Sequence, residues 1–174
     1  MMKRAITIAI ILGAFIGAGA GFSFADEFRV TKVYDGDTVR AETSELVIYI
    51  SLLGIDAPEV SCVPERQAQP FAKEATDLLR RLVLNKIVVV KGYGTLPYPD
   101  KDIIGVLYRG DKNINLEMVK QGFAEVQRRR LPRGFNVTPY LKAEKEAKEK
   151  GRGMWSLGDA YISPWEWRRR HGGY

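Results

Sequence analysis

The chain has 174 residues, 27 basic against 21 acidic, and a formal net charge of +6. Its only cysteine is Cys62 and its only histidine, His171, lies near the end. This composition argues against a disulfide framework, a thiolate or histidine zinc site, and any Ser-His or Cys-His catalytic pair. Hydrolytic chemistry in such a chain has to come from carboxylates, hydroxyls, basic residues and a hard cation.

Residues 1–25 read as a secretory signal. Lys3 and Arg4 precede an apolar run, and Ser23-Phe24-Ala25 places small residues at the −3 and −1 positions of a cleavage site. Export to the periplasm or the medium is expected, with no stable membrane association once the signal is removed. The alternative is an uncleaved anchor facing outward, since the run is nearly long enough to span a bilayer. The rest suits one domain with a real core, expected to be monomeric.

Phe28 to Tyr34 alternates apolar and polar residues and predicts a strand. Asp35-Gly36 is a turn signal, Thr38 to Ala41 starts a second strand, and Leu46 to Ile55 reads as a long third strand stopped by Pro58. Pro70 is placed to open a helix carrying Phe71, Ala75, Leu78, Leu79 and Leu82. Lys86 to Lys91 and Ile103 to Arg109 are the fourth and fifth strands. Asn115 is read as the cap of a short helix ended by Gly122, and Thr138-Pro139 starts another that ends at Gly151. The expected fold is α+β, mainly β: a five-stranded OB-type barrel with helices packed on it. The domain is expected over residues 26–157, with an aromatic and basic tail, 158–174, packing on or near the barrel.

Chemistry concentrates in two stretches, Tyr34-Asp35-Gly36-Asp37-Thr38-Val39 and Leu52-Leu53-Gly54-Ile55-Asp56-Ala57-Pro58-Glu59. Acids brought close repel unless a cation lies between them. Alone, each stretch reads better as a plain hairpin turn or strand exit; the two together point to a site. Basic clusters at Arg128-Arg129-Arg130 with Arg133, and at Arg168-Arg169-Arg170, suit phosphate-bearing partners or a solvated face.

The two acidic stretches resemble the signature blocks of the staphylococcal nuclease (thermonuclease) family. Gln69-Pro70-Phe71, Asp100-Lys101 with Gly105, Asn115 to Gly122, Gly151 to Trp155 and Pro164 to Arg168 are similar to further landmarks of that family, in order. The resemblance implies a five-stranded OB barrel with three helices and calcium-dependent hydrolysis of DNA and RNA. It implies Asp37 and Asp56 as calcium ligands with the Ala57 carbonyl, Glu59 as the carboxylate that engages the attacking water, and Asp35 behind them. Such all-oxygen sites suit Ca²⁺.

The family also uses two strand-borne arginines. Their counterparts here are Ser51 and Ile104, neither of which can donate as a guanidinium does. Arg66, Lys101, Arg128 and Arg130 are the residues available to compensate by contacting nucleic acid. The sequence therefore predicts an exported nuclease with weak or altered activity that binds single-stranded or frayed nucleic acid. The alternative is a catalytically inactive nucleic-acid or polyanion-binding module of the same fold.

Overall fold

The structure is a computed structural model that describes residues 25–61, 67–97, 102–129 and 131–171. The signal expected over residues 1–25 lies outside them except for Ala25, and Cys62, Arg66, Lys101 and Arg130 lie outside them too. Among the described residues no helix is long and apolar enough to cross a membrane.

Strands β1 (Ala25–Val33), β2 (Thr38–Glu42) and β3 (Val47–Leu52) form an antiparallel meander. Alternation buries Phe28 and Val30 on β1, Val39 and Ala41 on β2, and Ile48, Ile50 and Leu52 on β3. A register irregularity between Val30 and Lys32 turns Val33 inward again, out of strict alternation.

The third strand is shorter than its apolar run suggests. It breaks at Leu53-Gly54, and Ile55–Asp56 form a separate short strand, β4. Gly54 explains the break. Its φ is +80°, and a Cβ there would lie 2.5 Å from the Phe135 ring, so the turn admits only glycine. The consequence is functional, because the turn carries Asp56 out of the ladder of β3.

Helix α1 (Ala72–Val83) buries Ala72, Ala75, Thr76, Leu79 and Val83 along one face. Pro70 lies just ahead of it rather than inside its first turn, and Phe71 holds the cap position with φ +70°. Strand β5 (Ile87–Thr95) extends past its expected end at Lys91 and pairs with β1 and with β6 (Ile103–Arg109). A parallel pairing of β3 with β6 closes the barrel in the order β3-β2-β1-β5-β6. The expected α+β five-stranded barrel is therefore present, filled by Val30, Val39, Ile50, Leu107 and their neighbours.

Short β7 (Lys112–Asn113) extends the β6 edge and leads into α2 (Ile114–Lys120). The cap of α2 is Asn113, whose side chain accepts from Leu116 N–H at 2.9 Å. Asn115, read from the sequence as the cap, is instead fully buried inside the helix. Its Oδ1 accepts from Leu107 N–H, and its Nδ2 donates to the carbonyls of Leu53 and Gly105, each at 3.0 Å. A two-residue strand, β8 (Glu125–Val126), pairs with β4, and α3 (Thr138–Glu149) packs on α2. The tail continues as a 3-10 segment (Gly153–Ala160) and a further helix, α4 (Pro164–His171), where three helices were expected.

Candidate active site

The hairpin between β1 and β2 is shaped by Asp35. Its Oδ1 accepts from the N–H groups of Asp37 and Thr38, at 2.9 and 2.6 Å, the Asx-type bond that makes aspartate a turn former. Gly36 then lets the hairpin approach the rest of the molecule. A Cβ on it would meet the Ala57 Cβ at 2.6 Å and the Ala75 Cβ at 2.9 Å. The approach is sealed by Asp37, whose Oδ2 accepts from Ala57 N–H at 2.7 Å, while Leu52 N–H donates to the Asp37 carbonyl. The two acidic stretches, separate in sequence, are thus joined by a direct hydrogen bond.

Asp56 sits on β4 opposite Glu125 of β8 and is buried. Glu59 follows, its backbone held on both sides by Gln69: Glu59 N–H donates to Gln69 Oε1, and Gln69 N–H donates to the Glu59 carbonyl. The Gln69 amide also donates to the Ile162 carbonyl at 2.7 Å, which ties this loop to the tail. Tyr161 donates its hydroxyl to Glu125 at 2.6 Å, a second tie from the tail.

Arg168 of α4 enters this cluster. Its guanidinium donates to both oxygens of Asp56, each at 2.9 Å, and pairs with Glu59 as well. Asp56 above all, and then Glu59, hold it charged against its partial burial. Asp37 has no such partner: it makes no ion pair among the described residues. Burial, followed by the charges of Asp35, Asp56 and Glu59, pushes its carboxyl well above the ordinary carboxylate range, against the Ala57 N–H bond. Burial likewise raises Glu125.

A cleft of about 410 Å³ opens over these acids. Asp37 and Asp56 lie in its wall together with Ser51 and Ile104, and Arg129 and Arg168 line it too. Ser51 and Ile104 are direct partners on the parallel β3–β6 pairing, so the two positions lie side by side. An adjoining cleft of about 250 Å³ runs between Asp56, Arg128, Arg129, Trp165 and Arg168.

The residues suit a hard cation in their chemistry. Asp37 and Asp56 offer carboxylate oxygens, and the Ala57 carbonyl can add a neutral one. Among the described residues no group of three or more acidic, histidine or cysteine side chains is gathered as a ready metal cluster, and Arg168 takes both Asp56 oxygens.

Of the basic residues singled out from sequence, Arg128 is described. Its guanidinium pairs with the buried Glu144, which also accepts from Val126 N–H and Lys148, so Arg128 fastens β8 to α3. Arg129 instead stacks on the Trp165 ring at 4.8 Å and forms no ion pair among the described residues. Neither Arg129 nor Arg168 was assigned a role at the acids from sequence. Arg168 lies 112 residues from Asp56, and no spacing rule connects them.

Comparison with known proteins agrees with this architecture. The family model described as a staphylococcal nuclease homologue matches residues 49–157. An Escherichia coli protein described as an uncharacterized endonuclease is 35% identical over 144 residues, which cover 82% of this chain and 84% of the relative. One from Haemophilus influenzae, described in the same words, is 34% identical and covers 98% and 88%. A probable endonuclease of Candida dubliniensis is 35% identical over 77% of this chain but only 58% of its own length.

Proposed function

The chain belongs to the staphylococcal nuclease homologue family, and from that premise we propose that it is an exported, calcium-dependent phosphodiesterase acting on single-stranded or frayed nucleic acid. A single observation carries the reading: Ala57 N–H donates to Asp37, which joins the two acidic stretches, and Asp37 and Asp56 line one cleft.

Asp37, Asp56 and the Ala57 carbonyl would hold the ion. Bound there, calcium supplies positive charge to a phosphate oxygen and polarises phosphorus. Asp35 fixes the hairpin that aims Asp37, and the Ala57 N–H orients one Asp37 oxygen. Glu59, with its backbone clamped by Gln69, positions a water and accepts its proton during attack. The leaving oxygen departs from phosphorus on the opposite side and takes its proton from solvent.

Ser51 and Ile104 stand in the cleft wall where the resemblance places guanidinium donors. Charge on the equatorial phosphate oxygens grows toward the transition state, and one lost preorganised donor costs roughly 10²–10³ in rate. Turnover is therefore expected to be slower than in a relative that carries both strand arginines. Those same two residues favour a second reading, in which the cleft binds nucleic acid without cleaving it.

The test is digestion of single-stranded DNA with calcium and with chelator, for the wild type and Glu59→Gln. Cleavage that requires calcium and falls about 10²-fold or more in Glu59→Gln supports hydrolysis at this site. Retained DNA binding without cleavage under any metal condition supports the binding module.

A further inference from the structure

Two guanidiniums are missing from the barrel strands, and two others stand in the same cleft. Ser51 and Ile104 form one wall, and Arg168 and Arg129 reach the cleft from outside the barrel. We propose that the phosphate clamp of this protein has moved from the strands to the C-terminal segment, with Arg168 as the principal phosphate-binding residue and Arg129, shelved on Trp165, as its companion. This rests on the phosphodiesterase reading and extends it by naming the residues that hold the substrate.

The placement of Arg168 is the first argument. Its guanidinium is within hydrogen-bond distance of both Asp56 and Glu59, the residues to which the phosphodiesterase reading gives the ion and the water. The fork that meets a carboxylate in two parallel N–H···O bonds meets a phosphate in the same way. A divalent ion held by Asp37 and Asp56 would compete with the guanidinium for Asp56 and would leave its fork available to an anionic diester. Its side chain is 32% exposed, so the exchange needs no opening of the core.

Anchoring of the helix is the second argument. A clamp has to be held by something other than the substrate it grips. Pro164 and Trp167 of α4 are buried, and Trp167 lines a small cavity together with Gln69, Pro70 and Met154. Ahead of the helix, Ile162 is bonded to Gln69 and Tyr161 to Glu125. The tail is thus docked by contacts additional to the ion pairs of Arg168.

Arg129 completes the arrangement. Where neighbouring Arg128 is committed to Glu144, Arg129 is exposed, lines both clefts and lies over the Trp165 face. A cation–π shelf orients the guanidinium without neutralising it, and its charge stays available to a phosphate.

The experiment uses the full chain and a fluorescent single-stranded oligodeoxynucleotide. Binding is read by anisotropy in calcium on a cleavage-resistant analogue of the same oligonucleotide, turnover in calcium on the natural one, and folding by thermal melting. The variants are Arg168→Ala, Arg168→Lys, Arg129→Ala and, as a control on the same helix, Arg170→Ala, whose side chain pairs with Glu166. Arg168→Ala is expected to lose about 10²-fold in kcat. Arg168→Lys keeps the charge without the fork and is expected to recover only part of the loss. Arg129→Ala is expected to weaken binding and flatten its salt dependence by about one phosphate contact. Melting is expected to change little. Ser51→Arg added to Arg168→Ala is expected to regain at least about tenfold by restoring a strand-borne donor.

Arg168→Ala turning over as fast as wild type or faster would overturn the proposal and make Arg168 a plug over the acids. An equal loss in Arg170→Ala would overturn it too, by showing that only the charge of the helix matters. If wild type does not cleave DNA, the phosphodiesterase reading fails by itself. The clamp is then judged on binding: weaker binding in Arg168→Ala and Arg129→Ala than in Arg170→Ala sustains it, and unchanged binding refutes it.

Discussion

Replacing Asn115 by alanine should be among the most damaging single substitutions in this protein, although the residue touches neither acid cluster nor cleft. Asn115 is completely buried, and its amide makes three hydrogen bonds of 3.0 Å. One reaches β6 at Leu107, one reaches Gly105 in the barrel-closing register, and one reaches Leu53 in the turn that launches Asp56. Alanine removes all three partners at once and leaves a void that water cannot easily satisfy. Each buried bond contributes about 1 kcal/mol net, and a polar group stranded without a partner costs about 1–3 kcal/mol. Leu53 N–H still donates to the Gly105 carbonyl at 2.7 Å, so that oxygen is not orphaned. The expected loss is about 3–4 kcal/mol, a large share of the stability of an ordinary domain. In a chain of this size that corresponds to a fall in Tm of roughly 10 °C. Urea unfolding should show the loss as a lower midpoint with an unchanged slope. By contrast Asn113→Ala, which removes only a helix cap, should cost about 1 kcal/mol. Equal and small losses in both variants would refute the assignment of Asn115 as the knot between barrel and turn.

Gly36→Ala should destabilise by about 1–3 kcal/mol, since the new methyl collides with Ala57 and Ala75, and it should weaken calcium binding measured calorimetrically by prising the two acid blocks apart. Glu144→Ala should cost about 2–3 kcal/mol in chemical unfolding, because it removes the acceptor of Val126 N–H and the partner of Arg128 and Lys148. Arg128→Ala should cost about 1 kcal/mol, its side chain being half exposed, and should weaken DNA binding less than Arg129→Ala does in the same titration.

Much of the barrel was legible because its strands obey period-2 burial and its turns carry aspartate and glycine. The places where the sequence misled are those where tertiary packing overrode a local rule. Leu46 to Ile55 looked like one strand because every residue in it tolerates a strand. What breaks it is the Phe135 ring pressed on Gly54, a contact over 81 residues that no local pattern announces. Asn115 looked like a cap because asparagine favours that role. Its neighbour Asn113 took the role, and Asn115 serves the interior instead.

The meeting of the two acidic stretches was legible for a different reason. Asp35-Gly36-Asp37 and Asp56-Ala57-Pro58-Glu59 each carry turn chemistry with excess charge, and the hydrogen bond from Ala57 to Asp37 joins them. The arginines were not. A guanidinium on a long flexible stem can reach a site from any element near it, so its role is set by where α4 docks. That docking is carried by Trp167, Gln69 and Tyr161 rather than by any motif.

The central claim is that the two acidic stretches form one cation-dependent hydrolytic site. It is tested most directly by the initial rate of single-stranded DNA cleavage as calcium is titrated, in wild type, Asp37→Asn and Glu59→Gln. The account predicts a rate that saturates with calcium in the wild type. In Asp37→Asn the curve should move to much higher calcium, and in Glu59→Gln the plateau should fall about 10²-fold or more while calcium still binds. A wild-type rate indifferent to calcium, or a curve left unmoved by Asp37→Asn, would contradict it.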